Sequence, residues 1–163
     1  MNIIENSDKN AEFILSSYDS QADEVIDDIE IKPAKRRELS LPERIIAALD
    51  LKINKSEIYA LEKMYSPIVS DAADCDICLS IGGDTYCYGD NHEIQVLTRE
   101  LKKTGKKTVL WGASIGETDL TDEKLESLGD FDAIFAREPI TYELLKEKNA
   151  NENIYLFSDP AFC

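Results

Sequence analysis

Four short groups of residues have the types that could handle a ligand: Gly82-Gly83-Asp84, Ser114-Ile115-Gly116, Arg137-Glu138 and Asp159-Pro160. Gly82 and Gly83 lack side chains, so their backbone N–H groups can approach a phosphate or carboxylate closely. Ser114 and Gly116 can do the same, and Ser114 adds a hydroxyl. Arg137 is the one cation of the set, and its planar fork suits a carboxylate or phosphate. Asp84 and Asp159 can accept sugar hydroxyls or act as a base. His92, the only histidine, follows the glycine pair at the start of a helical pattern. It is a candidate general acid or base, or else a solvent-facing helix residue. Each position also has a plainer use: steric need for glycine at a turn, Arg137 paired with Glu138 or a helix end, Asp159 capping a turn before Pro160. No dinucleotide Gly-x-Gly-x-x-Gly and no P-loop lysine are present.

Two further motifs have chemical potential. Cys75-x-x-Cys78 has the spacing of a metal or redox pair, but a strand through 76–81 would send residues three apart to opposite faces. No second Cys-x-x-Cys completes a zinc set, and no metal site is expected. Lys32-Pro33-Ala34-Lys35-Arg36-Arg37 is a basic run that either binds an anion or forms a solvated loop offsetting the acidic stretch before it.

The elements that would position these groups alternate between strands and helices. Residues 12–18 form an apolar strand, and an acidic segment that can start a helix at Ser20 or Asp23 follows. Residues 1–10 are polar, with a weak helical pattern around 2–6. Ser40-Leu41-Pro42-Glu43 has the form of a helix entry. Ile45, Ile46, Leu49 and Ile53 then recur at helical spacing as a core face. Lys55-Ser56-Glu57 starts a second helix with Ile58, Leu61, Met64 and Tyr65 inside, weakened by Pro67. Strands follow at 76–81, 108–112, 132–136 and 153–157. Helices between them begin near Asn91, Thr121 and Pro139. This order predicts an α/β, three-layer Rossmann-like domain with a mainly parallel sheet flanked by helices on both faces. In such a sheet the four groups above sit at the C-terminal ends of neighbouring strands, the edge where open α/β sheets bind ligands.

The composition narrows the function classes. The chain has 163 residues, enough for one domain with a substantial core, and 43% hydrophobic content. Its formal net charge of −15 disfavours nucleic acid and anionic membrane surfaces as partners. A nest of backbone N–H groups can still hold a small anion against that field. No secretory signal and no transmembrane run are visible. Four cysteines without a signal suit a reducing cytoplasm.

Taken in order, Ser80-Ile81-Gly82-Gly83-Asp84-Thr85-Tyr86, Trp111-Gly112-Ala113-Ser114-Ile115-Gly116, Ala136-Arg137-Glu138-Pro139-Ile140-Thr141 and Asp159-Pro160-Ala161-Phe162 resemble the motifs of the polysaccharide pyruvyl transferase family. The resemblance runs from about Glu12 to the end; no one motif is specific, but their order and spacing are. It implies a domain similar to those of two-domain GT-B-like enzymes. It also implies transfer of a pyruvyl group from phosphoenolpyruvate to a sugar of a cell-surface or exopolysaccharide, giving a ketal. No cofactor is expected beyond phosphoenolpyruvate as donor substrate. Matched by position, it assigns substrate binding to Gly82, Gly83, Asp84, Ser114, Gly116, Arg137, Glu138 and Asp159. It leaves the catalytic residue open between His92 and Asp84. The pattern departs from the family in two places. The strand and Gly-Asp loop with which members open have no match before Glu12, and the second α/β domain does not follow Phe162. Residues 1–163 are therefore expected to form a single Rossmann-like domain from the amino-terminal half of the enzyme, partnered by a C-terminal domain. The rival readings are a GT-B-like glycosyltransferase domain and an inactive fragment or interaction module. The oligomeric state is not legible.

Overall fold

The computed structural model describes residues 11–26, 29–81 and 84–158. A short parallel pair comes first, β1 (Ile14–Ser17) and β2 (Glu30–Pro33), with the one-turn helix α1 (Ser20–Asp23) between them. Helices α2 (Leu41–Asn54) and α3 (Ile58–Asp71) form a hairpin. Then strand and helix alternate: β3 (Ile77–Ile81), α4 (His92–Lys103), β4 (Lys107–Ala113), α5 (Asp122–Gly129), β5 (Ala133–Ala136), α6 (Pro139–Glu147) and β6 (Ile154–Leu156). Strands β3 to β6 make one sheet, paired in chain order, and every pair is parallel. The α/β class and the parallel sheet follow the sequence reading, and the tips of all four strands lie along one edge.

The core explains this order. Leu110, Ile134 and Ile154 lie on one face of the sheet and pack with Leu128 of α5, Leu145 of α6 and Ile94 of α4. Side chains alternate along a strand, so Ile77, Ile81 and Tyr155 point the other way and are 56%, 63% and 49% exposed. Trp111 stacks on Phe135, and Phe135 stacks on Tyr155, along the same row. The helices flank the parallel sheet as the sequence predicts, and this second row of side chains is the more exposed of the two. A second cluster, Leu61, Tyr65, Ile68 and Val96, joins α3 to α4.

The helix boundaries have local causes. Ser40 and Glu43 form a reciprocal capping box at the start of α2. Pro67 does not end α3, because the Lys63 carbonyl left without its helical donor accepts the Ser66 hydroxyl at 2.8 Å. The α2 stripe is a correction. Ile45, Ile46, Leu49 and Ile53 are 47–73% exposed, and no residue of α2 is buried. Two open grooves run along the hairpin: Ala47, Ala48 and Leu51 line one with Ala60, Leu61 and Met64, and Ile46, Leu49 and Ile53 line the other with Tyr59.

The basic run is also corrected. Lys32 and Pro33 belong to β2 rather than to a loop. Three of its four cations pair with later carboxylates: Lys32 with Asp71 at 3.7 Å, Arg36 with Glu93 at 2.7 Å, and Arg37 with both Glu43 oxygens. The Arg37 hydrogen bonds hold the Glu43 carboxyl far below its usual range. These pairs give the run a structural use. The helical pattern around residues 2–6 lies outside the described residues.

Candidate functional site

The rim is built around the ends of β4 and β5. Gly112 has φ +75, a conformation side chains rarely adopt. At this point the β4–β5 register shifts between Trp111 and Ala113. The resulting bulge turns the segment after β4 toward the start of α6. There the Arg137 N–H donates to the Ala113 carbonyl at 3.0 Å. Thr141, fully buried, bolts the two together: its Oγ1 accepts from Ile115 N at 2.8 Å and lies 3.2 Å from the Ile115 carbonyl.

Glu138 is the N-cap of α6. Its carboxylate accepts from Thr141 N at 3.0 and 3.2 Å and from the Thr141 hydroxyl. It also accepts from Ser114 Oγ at 3.3 Å. Burial pushes the Glu138 carboxyl up, but the hydrogen bonds from Thr141, Ile140 and Ser114 outweigh this and leave it below its ordinary value. The carboxylate thus occupies the helix N-terminus that an incoming anion would otherwise use.

The loop after β3 is pinned from the opposite side. Tyr86 is buried. Its hydroxyl shares a hydrogen bond with Ser127 at 2.8 Å, and burial pushes its pKa up to about 12. Buried Lys124 donates from Nζ to the Tyr86 carbonyl at 2.9 Å. The Cys87 thiol, pushed up by burial and by Asp84 and Asp119 beside it, donates to the Ser114 carbonyl. These contacts fix Asp84 opposite Arg137, with Oδ1 3.1 Å from Nη2. The Arg137 side chain is 31% exposed and that of Asp84 67%.

The structure therefore brings Asp84, Ser114, Arg137 and Glu138 together on one edge. Arg137 pairs with Asp84 rather than with Glu138 or a helix end. Gly116 stands two residues past Ser114, with negative φ. A side chain there would meet only the movable end of the Asp119 side chain, Oδ2, at 3.0 Å, so the backbone does not itself demand glycine. His92 lies 3.6 Å from Glu123 of α5 and is half exposed. Gly82, Gly83 and Asp159 lie outside the described residues. Tyr86, Cys87, Lys124 and Thr141 were not singled out from sequence as site residues. Only Thr141 left a signal, a hydroxyl residue three positions after a helix cap.

Cys78 lies in β3 with its thiol pushed up by burial, while Cys75 stands just outside the strand. Two apolar cavities of about 320 and 280 Å³ belong to the α2–α3 hairpin, away from the rim. Among the described residues, no group of three or more metal-ligating side chains converges, and no helix is long and apolar enough to cross a membrane.

A family model described as polysaccharide pyruvyl transferase matches residues 4–162, nearly the whole chain. Comparison with curated proteins gives no match, and neither does comparison with solved structures.

Proposed function

We propose, the chain belonging to the polysaccharide pyruvyl transferase family, that its rim takes part in moving a pyruvyl group from phosphoenolpyruvate to a sugar of a cell-surface or exopolysaccharide. Two sugar hydroxyls add to the central carbon of the donor, and the phosphate–oxygen substituent leaves as inorganic phosphate. One hydroxyl proton ends on the methyl carbon and the other on the phosphate, so the product is a ketal. On this reading the chain works in the cytoplasm beside a second α/β domain, as in GT-B-like enzymes.

The observation that carries the reading is the placement of Arg137. It is two-thirds buried at the C-terminal edge of a parallel sheet, with its backbone locked to Ala113 and its side chain directed to Asp84. A guanidinium so held can bind a carboxylate or phosphate bidentately without first being ordered. Ser114 adds a hydroxyl oriented by Glu138. Asp84 is the nearer candidate for a base, since the partner that the structure gives His92 is Glu123. Gly82, Gly83 and Asp159 complete the proposed ligand contacts. The test is phosphate release from phosphoenolpyruvate with sugar acceptors, comparing the wild-type chain with Arg137→Ala. Release that depends on acceptor and falls at least a hundredfold in the variant supports the reading. Release that Arg137→Ala leaves unchanged rejects it.

A further inference from the structure

The rim carries more negative than positive charge for a site meant to hold an anion. Among the described residues, Asp84 pairs with Arg137, Asp84 and Asp119 both act on Cys87 beside it, Glu138 caps the adjoining helix, and buried Lys124 is turned to a backbone carbonyl. Glu138 cannot leave without uncapping α6, since Thr141 and Ser114 hold both of its oxygens. Asp84 is different. Its carboxylate is 67% exposed, so it can swing into water at little desolvation cost, whereas Arg137 at 31% cannot. Its loop is anchored two and three residues later by Tyr86 and Cys87, which keeps the carboxylate close to the guanidinium at high effective concentration.

We propose that Asp84 is an affinity-setting residue of this rim: its carboxylate is an internal competitor that holds Arg137 until an incoming anion displaces it. The inference rests on the reading of Arg137 as the anion holder. Asp84 must open before any anion reaches the guanidinium, so it lowers the affinity of every such anion by the same factor. Formate, phosphate and phosphoenolpyruvate all present paired oxygens to the fork, and those with more charge grip it harder. Asp84 thus sets an affinity threshold that only the stronger ligands pass at low concentration.

The test is titration of the folded chain with inorganic phosphate, phosphoenolpyruvate and formate, followed by amide NMR, for wild type, Asp84→Asn, Asp84→Glu and Arg137→Ala. Asp84→Asn is expected to tighten binding of all three by about fivefold or less, the strength of an exposed ion pair. The gain is expected to be the same factor for all three, so the preference for phosphate over formate is kept. Asp84→Glu keeps the competitor and stays near wild type, which a merely structural role for the aspartate would not require. Asp84→Ser serves as a second neutral variant if the asparagine disturbs folding. Binding that is lost in Arg137→Ala but unchanged or weaker in Asp84→Asn overturns the competitor while leaving the Arg137 reading intact. Binding indifferent to Arg137→Ala, or no binding by any variant, overturns both.

Discussion

Thr141→Val is the substitution that most sharply tests how the rim is held. The change keeps the side-chain shape and removes one hydroxyl. In the wild type that hydroxyl accepts from Ile115 N at 2.8 Å, contacts the Ile115 carbonyl at 3.2 Å and donates within the cap formed by Glu138. Thr141 and Ile115 are both buried, so water cannot replace the lost partner. An orphaned buried N–H costs about 1–3 kcal/mol, and the weakened cap adds roughly 0.5–1 kcal/mol. The sum is about 1.5–4 kcal/mol, against a total stability of about 5–15 kcal/mol for a typical domain. For a chain of 163 residues, each kcal/mol lowers Tm by roughly 2–4 °C. Thr141→Ser keeps the hydroxyl and loses one buried methyl, worth about 1 kcal/mol. Urea unfolding of the three proteins, with m unchanged, gives the comparison. Valine costing no more than serine would refute the assignment of Thr141 as the bolt between β4 and α6.

The remaining predictions use the same geometry. Gly112→Ala should destabilise by about 1–2 kcal/mol, the cost of a left-handed backbone for a residue with a Cβ; urea midpoints report it, and a neutral result means that β4 relaxes without its bulge. Glu138 has a folded pKa below its ordinary 4.5, so its contribution to stability is present above that value and is lost as pH falls through the lowered one. Midpoints measured from pH 6 down to pH 3 should decline less steeply in Glu138→Gln than in wild type, and equal slopes would contradict the capping role. Ile45→Lys with Leu49→Lys should change stability by about 0.5 kcal/mol per site or less, because both positions face outward. A loss of several kcal/mol would restore α2 to the core.

The sheet was legible because its strands are apolar runs between turn residues, a pattern that parallel strands buried by crossover helices share. The helix entries at Pro42, Thr121 and Pro139 were legible from caps alone, since capping needs only local sequence. The outward turn of α2 was not. Periodicity shows that Ile45, Leu49 and Ile53 share a face, but it does not show whether another element covers that face, and here they stay exposed. Pro33 concealed a strand because proline usually argues against one; here it ends β2, where its missing N–H breaks no ladder. At the rim, residue types pointed to Ser114, Arg137 and Glu138 through the strand ends. The ion pair between Asp84 and Arg137 joins positions 53 apart, and the burial of Lys124 against Tyr86 is likewise a tertiary fact. No spacing rule reaches that far.

Amide NMR of the wild-type chain titrated with phosphoenolpyruvate measures the main claim most directly. The account predicts saturable shifts at Asp84, Ser114 and Arg137, with the α2–α3 hairpin unmoved. Shifts centred on Leu51, Ala60 and Met64 of the hairpin cavity, or none at millimolar ligand, would contradict it.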